Sequence, residues 1–228
     1  VTVLPELLPE TVVAVETYGD DPAAEAALYP EEEAVVARAV AKRRREFAAV
    51  RACARRAMEK LGVPPQPVLP GERGAPGWPE GLTGSMTHCD GYRAAALVRT
   101  TDLASLGIDA EPHGPLPEGV LDAIALPEEV RRLSRLAGRH PAVHWDRLLF
   151  SAKESVYKAW FPLTGAWLDF SGADIDLVPA PGTWRTGTLR ARLTVPGPVL
   201  GGRRQGWFEG RWAVGEGHVV TVVTVPHP

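Results

Sequence analysis

The sequence is short of cysteine: Cys53 and Cys89 are the only two in 228 residues. That excludes a disulfide framework and offers no paired-cysteine zinc spacing. Lysine is nearly as scarce. Lys42, Lys60, Lys153 and Lys158 are the whole set, and the other 21 of the 25 basic residues are Arg. No run of about 18 apolar residues occurs, so no transmembrane helix is predicted. The first ten residues lack a basic region and carry Glu6 and Glu10. No signal peptide is read there, and the cytoplasm is the expected compartment. A large excess of one charge is also missing. The net charge of −3 argues against a protein held to nucleic acid by charge alone.

What is present is ordinary for a globular chain: 45% hydrophobic and 23% charged residues, which excludes whole-chain disorder. Such a length makes one or two compact domains, since domains run to ~100–150 residues. Residues 1–29 read as an irregular segment with one short strand over 11–15. Pro30-Glu31-Glu32-Glu33 opens a helix, because Pro fits the first turn and carboxylates suit its positive end. Ala and Arg carry that helix to Leu61, and Gly62, Pro64 and Pro65 end it. Residues 64–84 read as a Pro/Gly loop, long enough to suggest a binding role. Strands are predicted over 92–99 and 105–111, then helices over 118–125, 127–136 and 142–160. The last third reads as β, with strands over 174–178, 186–195, 206–214 and 218–225. Helices precede strands within each half, which points to an α+β class.

Four groups of residues could carry chemistry. Asp109 and Glu111 are two apart on a predicted strand, so their side chains share a face. Adjacent carboxylates raise each other's pKa unless a cation lies between them, and Mg²⁺ characteristically joins carboxylates to substrate phosphates. A solvated strand end leading into Pro112 accounts for the same pattern. Lys153, Glu154 and Lys158 lie on a predicted helix made apolar by Phe150, Val156, Tyr157, Trp160 and Phe161. Charges on such a helix need partners, which a metal and a phosphate would supply; an exposed i,i+4 pair is the plainer reading.

The third group is Gly84-Ser85-Met86-Thr87-His88-Cys89-Asp90-Gly91-Tyr92. Ser85, Thr87 and His88 are short polar groups beside glycines, suited to phosphate oxygens. It is not a Gly-x-Ser-x-Gly nucleophile elbow. A Cys89–His88 dyad is disfavoured because strand neighbours point to opposite faces. The fourth is a basic helix carrying Lys42, Arg43, Arg44, Arg45, Arg51, Arg55 and Arg56. It suits a solvated face or bidentate contacts to a nucleotide phosphate.

In order along the chain, Gly84-Ser85-x-Thr87-His88-Cys89-x-Gly91-Tyr92, Gly107-Ile108-Asp109-x-Glu111 and Ser151-Ala152-Lys153-Glu154-Ser155-x-Tyr157-Lys158 resemble the Sfp/EntD-type 4′-phosphopantetheinyl transferases. The Thr-His-Cys-x-Gly-Tyr segment is most similar to the EntD-like branch and its actinobacterial members. The resemblance spans residues 41–161, and is looser beyond.

The resemblance implies a pseudo-dimer of two similar α/β halves, 1–103 and 104–228, with the active site in the cleft between them and a monomeric chain. It implies transfer of phosphopantetheine from coenzyme A to a serine of acyl or peptidyl carrier proteins, as used by fatty acid, polyketide, nonribosomal peptide and siderophore synthases, with release of 3′,5′-ADP. Neither nucleic acid nor membrane is a partner on this reading. Asp109, Glu111 and Glu154 would hold Mg²⁺, or Mn²⁺. Lys153, Lys158 and His88 would contact phosphates, with Ser85 and Thr87 beside them. Arg43, Arg51 and Arg73 would serve the 3′-phosphate. Many relatives carry Gly-Lys-Pro where this chain has Gly74-Ala75-Pro76; either Arg73 stands in for that lysine or the helix arginines act alone. Glu154 is the implied base for the carrier serine and Lys158 the group that stabilises departing 3′,5′-ADP. Arg131, Arg132 and Arg135 are candidates for docking an acidic carrier. A Mg²⁺-dependent coenzyme A hydrolase and a non-catalytic coenzyme A-binding module are the competing readings.

Overall fold

The computed structural model describes residues 3–228; Val1 and Thr2, the start of the segment read as irregular, lie outside it. That segment is more ordered than its composition suggests. Helix α1 (Leu4–Leu7), strand β1 (Val13–Tyr18) and helix α2 (Pro22–Ala26) follow one another. The Glu16 carboxylate on β1 accepts hydrogen bonds from the Val3 and Leu4 amides, at 2.8 and 3.2 Å. It thereby satisfies orphan donors at the start of α1, and Leu4 and Leu7 are buried.

The predicted basic helix is two helices, α3 (Pro30–Val36) and α4 (Ala41–Lys60). The physical reason is Glu32. A continuous helix would hold residues 32 and 55 roughly 35 Å apart at 1.5 Å per residue. Instead the chain turns back, and Arg55 Nη1 donates to Glu32 Oε1 at 2.8 Å inside the protein. Glu32 also accepts from the Val68 and Tyr29 amides. The acid read as a helix-dipole partner is a buried hub. A short 3₁₀ turn (Glu72–Gly74) interrupts the loop that follows. The loop ends at Gly81, whose φ of +81° suits glycine.

Strands β2 (Leu82–Cys89), β3 (Tyr92–Arg99) and β4 (Ser105–Pro112) come next. β2 replaces part of the expected loop and places Ser85, Thr87 and His88 on a strand. Helices α5 (Val120–Ile124), α6 (Pro127–Arg139) and α7 (Trp145–Thr164) precede β5 (Ala173–Pro179), β6 (Thr186–Leu193), β7 (Val199–Leu200), β8 (Arg203–Arg204), β9 (Trp207–Gly215) and β10 (His218–Val225). Among the described residues the larger sheets are β1-β3-β2 and β4-β10-β9-β6-β5.

The fold is mixed α and β in two parts, each packing one long helix on a sheet. α4 lies on β3 and β1, and α7 on β4 and β10. Cys53, Ala54, Ala57 and Met58 meet Ala95 and Leu97 in the first part. Leu148, Leu149, Ala152 and Val156 meet Leu189, Trp212 and Val223 in the second. A further apolar cluster joins the parts, with Leu4, Tyr92, Ile108 and Val220 among its members. α7 approaches β4 closely at Gly107: a Cβ there would lie 2.0 Å from the Ser155 carbonyl oxygen.

Candidate active site

β2 and β4 are edge strands of different sheets, and they run side by side. Side chains bridge them. Ser85 Oγ accepts from the Ile108 amide at 3.0 Å, and Thr87 Oγ1 accepts from the Ala110 amide at 3.1 Å. Two hydroxyls two residues apart thus meet two amides two residues apart, satisfying donors that a buried strand edge would otherwise leave unpaired. From the other side Lys158 Nζ donates to the Ile108 carbonyl at 3.0 Å.

The carboxylates sit along this seam. Asp109 is 5% exposed. Its Oδ1 accepts from Lys158 Nζ at 2.9 Å, and its Oδ2 is buried without a hydrogen-bond partner. Glu111 Oε2 accepts from Arg147 Nη1 at 3.2 Å. Burial, reinforced by the Asp109 charge, pushes the Glu111 carboxyl up to about 7. Burial also raises the Glu154 carboxyl, again with Asp109 adding to it. Both shifts express carboxylates gathered away from water with too little positive charge nearby. Among the described residues no three acidic, histidine or cysteine side chains close into a ready-made metal cage.

Beside the seam lies a cleft of about 610 Å³. α4 contributes Arg43, Glu46, Phe47 and Arg51; the loop contributes Arg73; β2 contributes Ser85 and His88; α7 contributes Glu154, Tyr157 and Lys158. His88 Nε2 lies 3.5 Å from Arg43 Nη1 and 3.6 Å from Glu46 Oε2. Burial holds His88 below its ordinary pKa, partly offset by Glu46. Arg51 Nε donates to the Val68 carbonyl at 2.8 Å, and its guanidinium stacks 3.3 Å over the Phe47 ring. That packing buries it and lowers its pKa to about 10, despite Glu32. The cleft therefore presents basic groups from both halves together with three acids, Glu46, Glu72 and Glu154.

Other predicted residues stand elsewhere. Lys153 does not reach the cleft. Its ammonium is buried and donates to Glu129 Oε1 at 2.7 Å and to the Phe170 and Ala173 carbonyls. Burial pushes its pKa down while Glu129 opposes the shift. In this structure the residue expected to contact a phosphate is instead held by a buried carboxylate and two carbonyls. Thr87 and Asp109 lie in the seam behind Lys158, and Thr87 has spent its hydroxyl on Ala110 and Asp109. Ser151 and Ser155 bond Thr221 of β10 at 2.9 and 2.7 Å, so these motif serines fasten α7 to its sheet. Arg55 is committed to Glu32. Arg132 is tied to Asp174 and the Ile175 carbonyl, and Arg131 pairs with Glu128. Cys89 packs beside the apolar cluster joining the two parts, while His88 lines the cleft.

Sequence reasoning missed Glu46, Glu129 and Arg147. Glu46 follows Arg43 by three positions, which puts both on one helical face. Glu129 and Arg147 carried no comparable signal, since their partners are 24 and 36 residues away.

The family described as 4′-phosphopantetheinyl transferase N-terminal domain matches residues 31–98, and the 4′-phosphopantetheinyl transferase superfamily matches residues 105–219. This chain belongs to the 4′-phosphopantetheinyl transferase family. It is 59% identical to the 4′-phosphopantetheinyl transferase Svp of Streptomyces mobaraensis over 97% of this chain and 89% of that protein. It is 47% identical to PptT of Mycobacterium tuberculosis over 98% and 96% of the two chains, and 48% identical to Npt of Nocardia iowensis over 86% and 88%. The likeness to enterobactin synthase component D of Salmonella typhi is 34% identity over 52% of this transferase and 49% of that protein. The transferase thus matches actinobacterial relatives along nearly its whole length, and the EntD-like branch over half of it. No helix among its described residues is long and apolar enough to cross a membrane.

Proposed function

We infer that the protein transfers 4′-phosphopantetheine from coenzyme A to a serine hydroxyl of an acyl or peptidyl carrier protein and releases 3′,5′-ADP. The observation that carries this reading is the seam cleft, where Arg43, Arg51, Arg73, His88 and Lys158 surround a space that also holds Glu154. A nucleotide pyrophosphate brings several negative charges, and preorganised cations in a partly buried site stabilise charge that moves to a leaving group. Lys158 is the group that would neutralise the departing 3′,5′-ADP, which its place on the cleft wall supports. Glu154 is the base for the serine proton, and burial, by raising its carboxyl above the ordinary range, makes it a stronger proton acceptor than an exposed carboxylate. Arg43, Arg51 and Arg73 serve the 3′-phosphate, and Ser85 and His88 line the same wall.

The donor set suits a hard divalent cation. Asp109 has one buried oxygen to spare, and Glu111 and Glu154 are carboxylates that want a positive neighbour. Mg²⁺, or Mn²⁺, would be held by Asp109, Glu111 and Glu154 and would offset charge on the pyrophosphate. Mg²⁺ usually completes its shell with water and substrate phosphates rather than an all-protein cage, which accords with three carboxylates that are near but not closed around a point. The same reading divides the chain at Leu103–Ala104, takes it to act as a monomer in the cytoplasm, and leaves Arg131 and Arg135 as the exposed part of the α6 docking patch.

The test is intact mass of an apo carrier protein after incubation with this protein, coenzyme A and Mg²⁺. A gain of one phosphopantetheine, abolished by EDTA, is the expected result. Release of 3′,5′-ADP without a carrier, and no mass gain with one, would instead make the protein a hydrolase.

A further inference from the structure

Among the cleft's cations, Arg73 is held in an unusual way. Its loop is pinned by hydrogen bonds from Gly71 N to Ala75 O at 2.6 Å and from Gly77 N to Leu69 O at 2.8 Å. Arg73 itself adopts a left-handed backbone, with φ of +53°. Its guanidinium makes no hydrogen bond and no ion pair among the described residues. Its partner is a ring from the other half of the molecule: Arg73 Cζ lies 5.6 Å from the centre of Trp167, within cation–π range. That ring is itself braced. Trp167 Nε1 donates to Asp169 Oδ1 at 2.8 Å, and Tyr157 packs against it at 5.2 Å. Trp167 is nonetheless 56% exposed.

A cation–π contact uses none of a guanidinium's N–H donors, so it leaves them free for a planar or tetrahedral anion. A carboxylate partner would consume those donors, as Glu32 does for Arg55. We propose that Trp167 is the positioning residue for Arg73, holding its donors toward the cleft so that the protein prefers coenzyme A to its 3′-dephospho form. The proposal rests on the coenzyme A reading of the cleft. It assigns a role to a residue after α7 that lies outside all three motifs, and it explains how an arginine on a loop without the usual lysine can act.

The experiment is calorimetric binding of coenzyme A and of 3′-dephospho-coenzyme A to the full chain and its Trp167→Ala, Trp167→Phe, Arg73→Ala and double variants. Trp167→Ala should weaken coenzyme A by about 3–10-fold and leave 3′-dephospho-coenzyme A unchanged, which also shows the variant is folded. Trp167→Phe should restore most of the loss. In the Arg73→Ala background Trp167→Ala should change nothing further. Equal weakening of both ligands would mean the ring touches the ligand itself and would overturn the proposal. So would an unchanged coenzyme A affinity, or an undiminished effect without Arg73. A wild-type chain that binds both ligands equally removes the 3′-phosphate role of Arg73. One that binds neither removes the coenzyme A reading itself.

Discussion

Lys158 and Asp109 meet beside the seam of the protein at 2.9 Å, while the second Asp109 oxygen is buried and unpartnered. The lysine comes from α7, which lines the cleft, and the aspartate from β4 behind it. One ammonium therefore neutralises half of a carboxylate whose other half faces no donor. On the proposed reading a divalent cation would offset that imbalance, which the neighbouring Glu111 and Glu154 carboxylates add to.

The first prediction concerns that centre. Glu154→Gln and Asp109→Ala should each lower turnover by ~10²-fold or more, the scale of losing one electrostatic contributor. Glu154 makes no hydrogen bond among the described residues, so Glu154→Gln should keep the wild-type melting temperature. Near-normal turnover in a folded variant would take that residue out of the reaction.

Lys153 should behave differently. Lys153→Met leaves Glu129, which is 1% exposed, as an uncompensated buried charge, a defect of ~3–5 kcal/mol. The denaturation midpoint should fall sharply, while the folded fraction keeps its KM for coenzyme A. A raised KM with unchanged stability would return Lys153 to the phosphate.

The hydroxyl seam gives a third. Ser85→Ala and Thr87→Val should each cost ~1–3 kcal/mol, because each strands a buried amide donor. Hydrogen exchange should speed up at Ile108 in the first variant and at Ala110 in the second. Unaltered exchange at both would mean that water replaces the hydroxyls.

Glu111 sets a pH dependence. Its folded pKa of about 7 stands above its ordinary 4.5. Below 4.5 it is protonated whether folded or not, and its contribution to stability is fully present. Between the two values the folded state keeps a proton that the unfolded state has released, so stability falls as pH rises through the window. Without Mg²⁺ the melting temperature should therefore drop from about pH 5 to about pH 7.5, and Glu111→Gln should flatten the slope. Added Mg²⁺ should stabilise more at the higher pH, where the carboxylates are ionised.

The thiols should be inert. Burial, with Glu111 and Asp109 nearby, pushes Cys89 up to about 12, and burial raises Cys53. Thiolate is the reactive form, so alkylation at about pH 8 should be slow until the protein is unfolded. Fast labelling of Cys89 in the native protein would contradict this environment.

Several features were legible in the linear order of residues. The alternation Leu106, Ile108, Ala110 against Asp109 and Glu111 marks β4, and the apolar stretch from Phe150 to Phe161 marks α7. Both are local signals, written at the spacing of the element that forms. The start of β2 was hidden because Leu82, Thr83 and Gly84 close a stretch rich in Pro and Gly that reads as a loop. Only burial against β3 and β4 shows why small residues belong there, with Gly84 so placed that a Cβ would lie 2.4 Å from Leu97.

What the sequence determined by itself is the set of chemical groups: scarce lysines concentrated on one helix, a paired carboxylate strand, and a basic helix, in the order that marks the family. Tertiary structure alone decided which of those groups face the cleft. Arg55 and Lys153 look like phosphate contacts in the sequence, yet each is claimed by a buried glutamate more than twenty residues away. A charge cannot stay buried without a partner, and the identity of that partner depends on which distant segments the fold brings together. Arg43, Arg73, His88 and Lys158 line the cleft because the segments around them leave that space open.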